Sequence, residues 1–218
     1  MIDEESRQFP ARRRREKRSE VKARLLKVAY GIFAERGYEG ASLERVAEAA
    51  GFSKGVVYSN FASKDELFYE LLAAKIDERA EAVSISAERL RSSGGAGGAR
   101  RGAADFARLA GEELRGMGAA DPAWQMLFIE FWLRCSRSEE LRAKFAQKRR
   151  AMRAVIAANA REEAAAAGTE LGEAEAMDFA TTVLALSNGL GIEGLIDQDA
   201  VRPGLLGEIL ARIVGPSA

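Results

Sequence analysis

Residues 37–67 read GYEGASLERVAEAAGFSKGVVYSNFASKDEL, and the placement of serine and glycine among the apolar positions decides the fold. Ser42 suits a helix N-cap, because its hydroxyl can accept from an orphan N–H of the first turn; Leu43, Val46, Ala47 and Ala50 then recur at helical spacing. Gly51 can take the left-handed conformation that closes a helix, Phe52 supplies an apolar contact, and Ser53 caps the next helix. The pattern predicts a helix over 43–50 and a second over 54–60. Ser63 and Glu66 have the spacing of a capping box just ahead of Leu67, Phe68, Leu71 and Leu72, so a third helix starts at about Lys64. Two short helices joined by a glycine turn make a helix-turn-helix, which points to DNA.

Working outward, a helix from about Ser19 to Arg36 presents Leu25, Leu26, Ala29, Ile32 and Phe33 on one side and ends at Gly37. The helix begun at Lys64 continues through Ile76, Ala80 and Val83 to about Leu90, roughly 40 Å at helical rise. Residues 92–98, SSGGAGG, break it, either as a surface connection or as a regulatory hinge. Further helices are expected near 100–117, 122–137, 139–168, 173–195 and 203–214, the second of them started by Asp121 ahead of Pro122. With only four prolines and no long alternating run of Val, Ile or Thr, the fold class is all-α with about nine helices. Three parts are expected: a disordered basic arm over 1–18, a three-helix helix-turn-helix domain over 19–72, and a larger helical bundle over 73–218.

The run AGFSKGVVYSNFASKDEL, with Tyr58, Phe61, Lys64 and Leu67 in register and Ala29, Phe33, Gly37 and Tyr38 upstream, resembles the DNA-binding domain of the tetracycline-repressor (TetR) family. The resemblance runs from Ala23 to Leu72, and its Tyr-x-x-Phe-x-Ser-Lys-acidic-x-Leu tail is far narrower than a bare helix-turn-helix pattern. Asn60 departs from the histidine of many members, and Val46 from the usual isoleucine. The resemblance implies a second domain that binds a small ligand and pairs two chains through its last two helices.

The 218 residues carry a net charge of zero, but the charge is unevenly spread. Between Arg12 and Lys27 nine Lys or Arg residues, among them Arg12, Arg13, Arg14 and Arg15, stand against Glu16 and Glu20, leaving +7 beside the helix-turn-helix. Such an arm can follow phosphates or enter a narrow minor groove; the competing reading is a solvated tail. The single Cys135 leaves no internal disulfide and no zinc spacing, which suits a reducing cytoplasm. No apolar run is expected to reach the roughly 18 residues that span a bilayer, so no membrane partner is expected. The chain has no histidine, so a serine or cysteine nucleophile lacks its usual base; the pairs Glu112–Glu113 and Glu162–Glu163 diverge by about 100° on a helix and read as solvated charge. Neither an enzyme, a cofactor nor a metal site is expected.

In a helix-turn-helix the N-terminal residues of the second helix meet the base edges. That selects Ser53, Lys54, Gly55, Ser59 and Asn60, with Lys54 the long donor able to reach guanine O6 or N7. By resemblance Tyr58 and Lys64 contact phosphates, and Ser42 and Arg45 lie close enough to touch backbone or an adjacent base. The competing readings make Tyr58 a core aromatic, Asn60 a helix terminator and Lys64 a solvated cation.

One head offers few contacts, so a homodimer on a palindromic double-stranded operator is expected. Met177, Leu184, Ser187, Gly191 and Leu195 with Leu206, Ile209, Leu210 and Ile213 are the candidate dimer faces, the alternative being that these helices complete the monomer core. Trp124, Phe128, Phe131, Trp132 and Cys135 form an aromatic stripe that is either core or the wall of a pocket, with Phe106, Met117, Met152 and Phe179 to complete it. No cluster of cations is evident there, so the expected effector is apolar or aromatic. The function expected is that of a ligand-responsive transcriptional repressor; the alternative is a constitutive DNA-binding or architectural protein.

Overall fold

The computed structural model describes residues 17–93 and 103–214. Arg12, Arg13, Arg14 and Arg15 and most of the 92–98 segment lie outside these; Ser92 and Ser93 are the last residues of a helix. Among the described residues there are nine helices: α1 (Arg18–Gly40), α2 (Leu43–Ala50), α3 (Lys54–Asn60), α4 (Lys64–Ser93), α5 (Ala103–Ala120), α6 (Pro122–Arg137), α7 (Glu139–Ala166), α8 (Glu173–Ile196) and α9 (Leu205–Val214). The chain is all-α, a small N-terminal head on a larger bundle.

Local chemistry explains most of these boundaries. The Ser42 hydroxyl accepts from Arg45 N–H at 3.2 Å at the start of α2. At its end Gly51 sits at φ +70°, its N–H donating to Glu48 O at 3.1 Å while Phe52 N–H donates to Ala47 O at 2.9 Å, the paired reach-back of a Schellman turn. Ser53 stands at the N-cap of α3, but its side chain makes no capping bond, contrary to the sequence-based expectation. At α4 Ser63 accepts from Glu66 N–H at 3.1 Å, while Glu66 reaches one residue further back than a regular box, to Ala62 N–H at 2.6 Å. Asp121 caps α6 by accepting from Trp124 N–H at 3.2 Å, with Pro122 in the first turn.

One core joins head and bundle. Leu25, Ala29 and Phe33 of α1, Val46 of α2, Val57 of α3, and Leu67, Phe68, Leu71 and Leu72 of α4 are buried together with Leu127 and Phe131 of α6. A file of rings runs through it: Phe33 to Phe68 at 4.7 Å, Phe68 to Phe131 at 5.4 Å, Phe131 to Phe145 at 5.1 Å, Phe145 to Phe128 at 5.8 Å and Phe128 to Trp124 at 5.6 Å. At the far side α9 lies along α5 with Gly111 against Gly207. A β-carbon on Gly207 would stand 2.5 Å from Arg108 O, so only glycine permits this backbone approach.

The α8 helix corrects one expectation. It is long and apolar enough, by length and composition, to cross a membrane. In the fold Ala176, Phe179, Ala180, Val183 and Leu184 pack inward, and much of the rest of its surface is open.

Candidate nucleic-acid interface and helical-domain cavity

The exposed side of α3 presents Ser53, Lys54, Gly55, Tyr58 and Ser59, with Arg45 of α2 also exposed. Tyr58 is 49% exposed and its hydroxyl donates to Glu44 at 2.8 Å, clamping α3 to α2; it is not a core aromatic. That bond holds the phenol above its ordinary range, and bonds from backbone and Tyr58 hold the Glu44 carboxyl below its own. Ser59 turns its hydroxyl to Val56 O at 2.8 Å. Asn60 is part-buried, its amide N–H donating to Val56 O at 2.8 Å, so it faces the helix rather than the open side. Arg18, at the start of α1, donates to Ser59 O at 3.2 Å, which brings the end of the basic arm beside α3.

Lys64 is engaged within the protein. Its ammonium donates to Tyr38 O at 2.9 Å and Ala41 O at 3.2 Å and lies 4.1 Å from the Tyr38 ring centroid. An ammonium has three N–H donors, so one is left over. This pin holds the chain between α1 and α2 against the first turn of α4.

The same segment is grasped from the other side by α6. Gly37, at φ +65°, breaks α1 and turns out the Tyr38 N–H, which donates to Glu130 at 2.6 Å. Arg134 stacks 3.7 Å from the Tyr38 ring centroid and bonds Asp65 at 2.7 Å, and Tyr38 O–H donates to the same Asp65 oxygen at 2.7 Å. At the opposite end of α6, Tyr30 of α1 donates its hydroxyl to Asp121. Burial first, then these carboxylate bonds, push both phenols up. Sequence reasoning missed Tyr30, Glu130 and Arg134, since nothing local in α6 shows which residues will meet α1.

A cavity of about 520 Å³ opens on the other side of α6. Of the expected aromatic residues Trp124 and Phe128 line it, as does Met152. Phe131, Cys135 and Phe179 are buried in the core away from this wall, and burial pushes the Cys135 thiol up to about 11. Trp132 is 51% exposed, Phe106 packs with Ala87 in a separate cluster, and the Met117 side chain lies outside the described ones. The expectation of a wall without cations fails: Arg79 of α4, Arg115 of α5 and Arg149 of α7 all reach it. They are 34 and more residues apart in sequence, so no linear cluster announces them.

The residues expected to pair two chains are divided between the cavity, the core and the surface. Leu184, Ser187, Gly191 and Leu195 of α8 and Leu206 of α9 face the cavity, and Leu210 is fully buried against the monomer core. Met177 and Ile209 are part-buried, and Ile213 is 50% exposed. The open face of α8 is instead the row Thr181, Ala185, Gly189, Ile192 and Ile196. A helix without strong one-sided patterning, as α8 is, cannot show from its sequence which way it will face.

Comparisons with known proteins agree with the geometry. Residues 25–71 match the family described as "Bacterial regulatory proteins, tetR family", and residues 97–215, more than half of the chain, match "BetI-type transcriptional repressor, C-terminal". The transcriptional activator FasR of Mycolicibacterium smegmatis is 38% identical over 66 residues, 30% of each chain. The transcriptional repressor AcnR of Corynebacterium efficiens is 42% identical over 60 residues, 28% of this chain and 32% of that one. These curated relatives are thus matched over about a third of their length. A transcriptional regulator from Rhodococcus sp. Rha1 superposes with a TM-score of 0.64 at 25% identity, over 89% of this chain and 94% of that one. By its helix-turn-helix head, its helical bundle and these matches over both parts, the chain belongs to the TetR family of bacterial transcriptional regulators, which are DNA-binding proteins and not enzymes.

Proposed function

We propose that the chain is a ligand-responsive repressor that binds a palindromic operator as a homodimer and leaves it when a small molecule fills the cavity. The observation that carries this reading is that one helix serves both sites: α6 lends Trp124, Gln125 and Phe128 to the cavity, while Glu130, Arg134 and its N-cap Asp121 make the contact with α1 and α4. A ligand that moves α6 shifts the angle of the head, and two heads set for a fixed half-site spacing then lose their register. Residues 19–72 serve as the head and 73–218 as the effector and dimer domain, working in the cytoplasm where the operator is.

In this reading Lys54 enters the major groove with Ser53 and Gly55 beside it, while Arg45, Tyr58, the spare N–H of Lys64 and the arm Arg12–Arg15 lie on phosphates. The partner is a second copy. The small residues Ala185 and Gly189 leave open space above α8, and Ile192, Ile196 and Ile213 stand 42%, 86% and 50% exposed nearby, so a facing helix pair would cover an apolar strip.

The test is a mobility-shift titration on the DNA just upstream of the chain's own coding region, followed by a compound screen against the complex. A palindrome bound as a dimer and released by a compound supports the reading; binding that no compound alters makes the protein a constitutive binder. Lys54→Ala is expected to lose about 1–3 kcal/mol of discrimination between operator variants. Uniform weakening across all variants would make Lys54 a backbone contact. Lys64→Ala is expected to lower the slope of log affinity against log salt by about 1 per head. An unaltered slope would confine Lys64 to its two carbonyls.

A further inference from the structure

Within the cavity the three arginines differ in their surroundings. Arg79 lies 4.6 Å from the Trp124 ring centroid and has Asp121 and Glu78 near enough to favour its charge. Arg115 is exposed at the edge. Arg149 is part-buried beside the Phe128 ring at 5.8 Å, and its charged neighbour is another cation, Arg153. No carboxylate pairs with Arg149 among the described residues, and none of the described residues that line the cavity is acidic. Burial, with Arg153 second, pushes its guanidinium down to about 10.

A cation withdrawn from water without an anion is unfavourable and is normally paired. Arg149 therefore has an unmet requirement that the protein does not supply from its own side chains. The remaining wall is of two kinds: Trp124, Phe128, Met152 and Leu184 are apolar, while Gln125 and Asn188 offer neutral hydrogen-bonding groups. A guanidinium fork matches a carboxylate in two parallel hydrogen bonds.

We propose that the effector is an amphipathic organic carboxylate, its anionic head held by Arg149 and its aromatic or alkyl body lying between Trp124, Phe128 and Met152. This rests on the cavity being the effector site. It also sets the sign of the ligand: an amine of the same shape meets three guanidinium groups and is rejected.

Calorimetric titration with 4-phenylbutyrate, 4-phenylbutanamide and 4-phenylbutylamine tests it, together with thermal melting of the native chain and of Arg149→Gln. The carboxylate is expected to bind about tenfold or more tighter than the amide, with the amine weakest. Arg149→Gln should bring acid and amide to similar affinity and, with no ligand present, raise the melting temperature, since it removes an unpaired cation. Equal binding of acid and amide by the native chain overturns the carboxylate assignment while leaving a small-molecule cavity in place. A ligand-free Arg149→Gln that melts lower makes Arg149 a structural cation and also overturns it. Failure of all three compounds to bind overturns the assignment together with the effector reading of the cavity.

Discussion

Phe68→Ala is expected to cost about 3–5 kcal/mol, a large share of the roughly 5–15 kcal/mol that a domain has in total. Phe68 is fully buried on α4 and touches three rings: Phe33 at 4.7 Å and Tyr38 at 5.1 Å in the head, and Phe131 at 5.4 Å in α6. Its removal leaves a cavity between elements that cannot all move inward together, because Tyr38 is tied to Glu130, Asp65 and Arg134. At about 2–4 °C per kcal/mol for a chain of this size, the melting temperature should fall by roughly 10 °C. Phe68→Leu, which keeps much of the volume, should fall far less. A melting curve of Phe68→Ala within about 3 °C of the native one, on the same scale, would mean the ring file does not hold head and bundle together. Because the file continues through Phe145 and Phe128 to Trp124 at the cavity, the same substitution should weaken the effect of any effector on operator binding.

The second large effect is expected at Gly207. A methyl group there would meet Arg108 O at 2.5 Å, Arg108 Cα at 2.9 Å and Arg108 C at 3.1 Å, all backbone, so no side-chain rotation relieves it. Gly207→Ala must push α9 off α5, at a cost of about 3 kcal/mol or more. Since Leu206 is both buried and part of the cavity wall, the displacement should also lower affinity for cavity ligands. Gly31→Ala is the matched control: nothing stands within 4 Å of its added carbon, and the change should stabilise α1 by about 0.5–1 kcal/mol. If Gly207→Ala melts with the control, the α5–α9 approach is looser than its geometry implies.

In the proposed function the joint between α6 and the head also bounds what a ligand has to do. To change operator affinity by a factor of about 5 to 150, a coupling of about 1–3 kcal/mol suffices. Tyr38 N–H to Glu130, near the middle of α6, and Tyr30 to Asp121, at its N-cap, tie that helix to α1 at two points, so a shift of α6 is transmitted to the head. In that reading a ligand whose fit changes by a hydrogen bond or two when α6 shifts supplies this coupling.

The sequence by itself determined which stretches become helices and several of the points where they start or turn. The Ser42 cap, the Gly51 turn, the Ser63 and Glu66 pair and the Asp121–Pro122 start each act through hydrogen bonds spanning a few residues, so their outcome is set locally and could be read off the chain. The family-bearing run of the head was legible for the same reason. What only the tertiary structure decided is which way each helix faces. Leu184, Ser187, Gly191, Leu195 and Leu206 turned to the cavity, because α8 is apolar on most sides and its rotation is set by its neighbours. Lys64 found two carbonyls 26 and 23 residues away, and Arg79, Arg115 and Arg149 converged from three helices to give the cavity a charge that no stretch of the chain displays. Packing joins residues distant in sequence, and that is where the charge of the cavity arises.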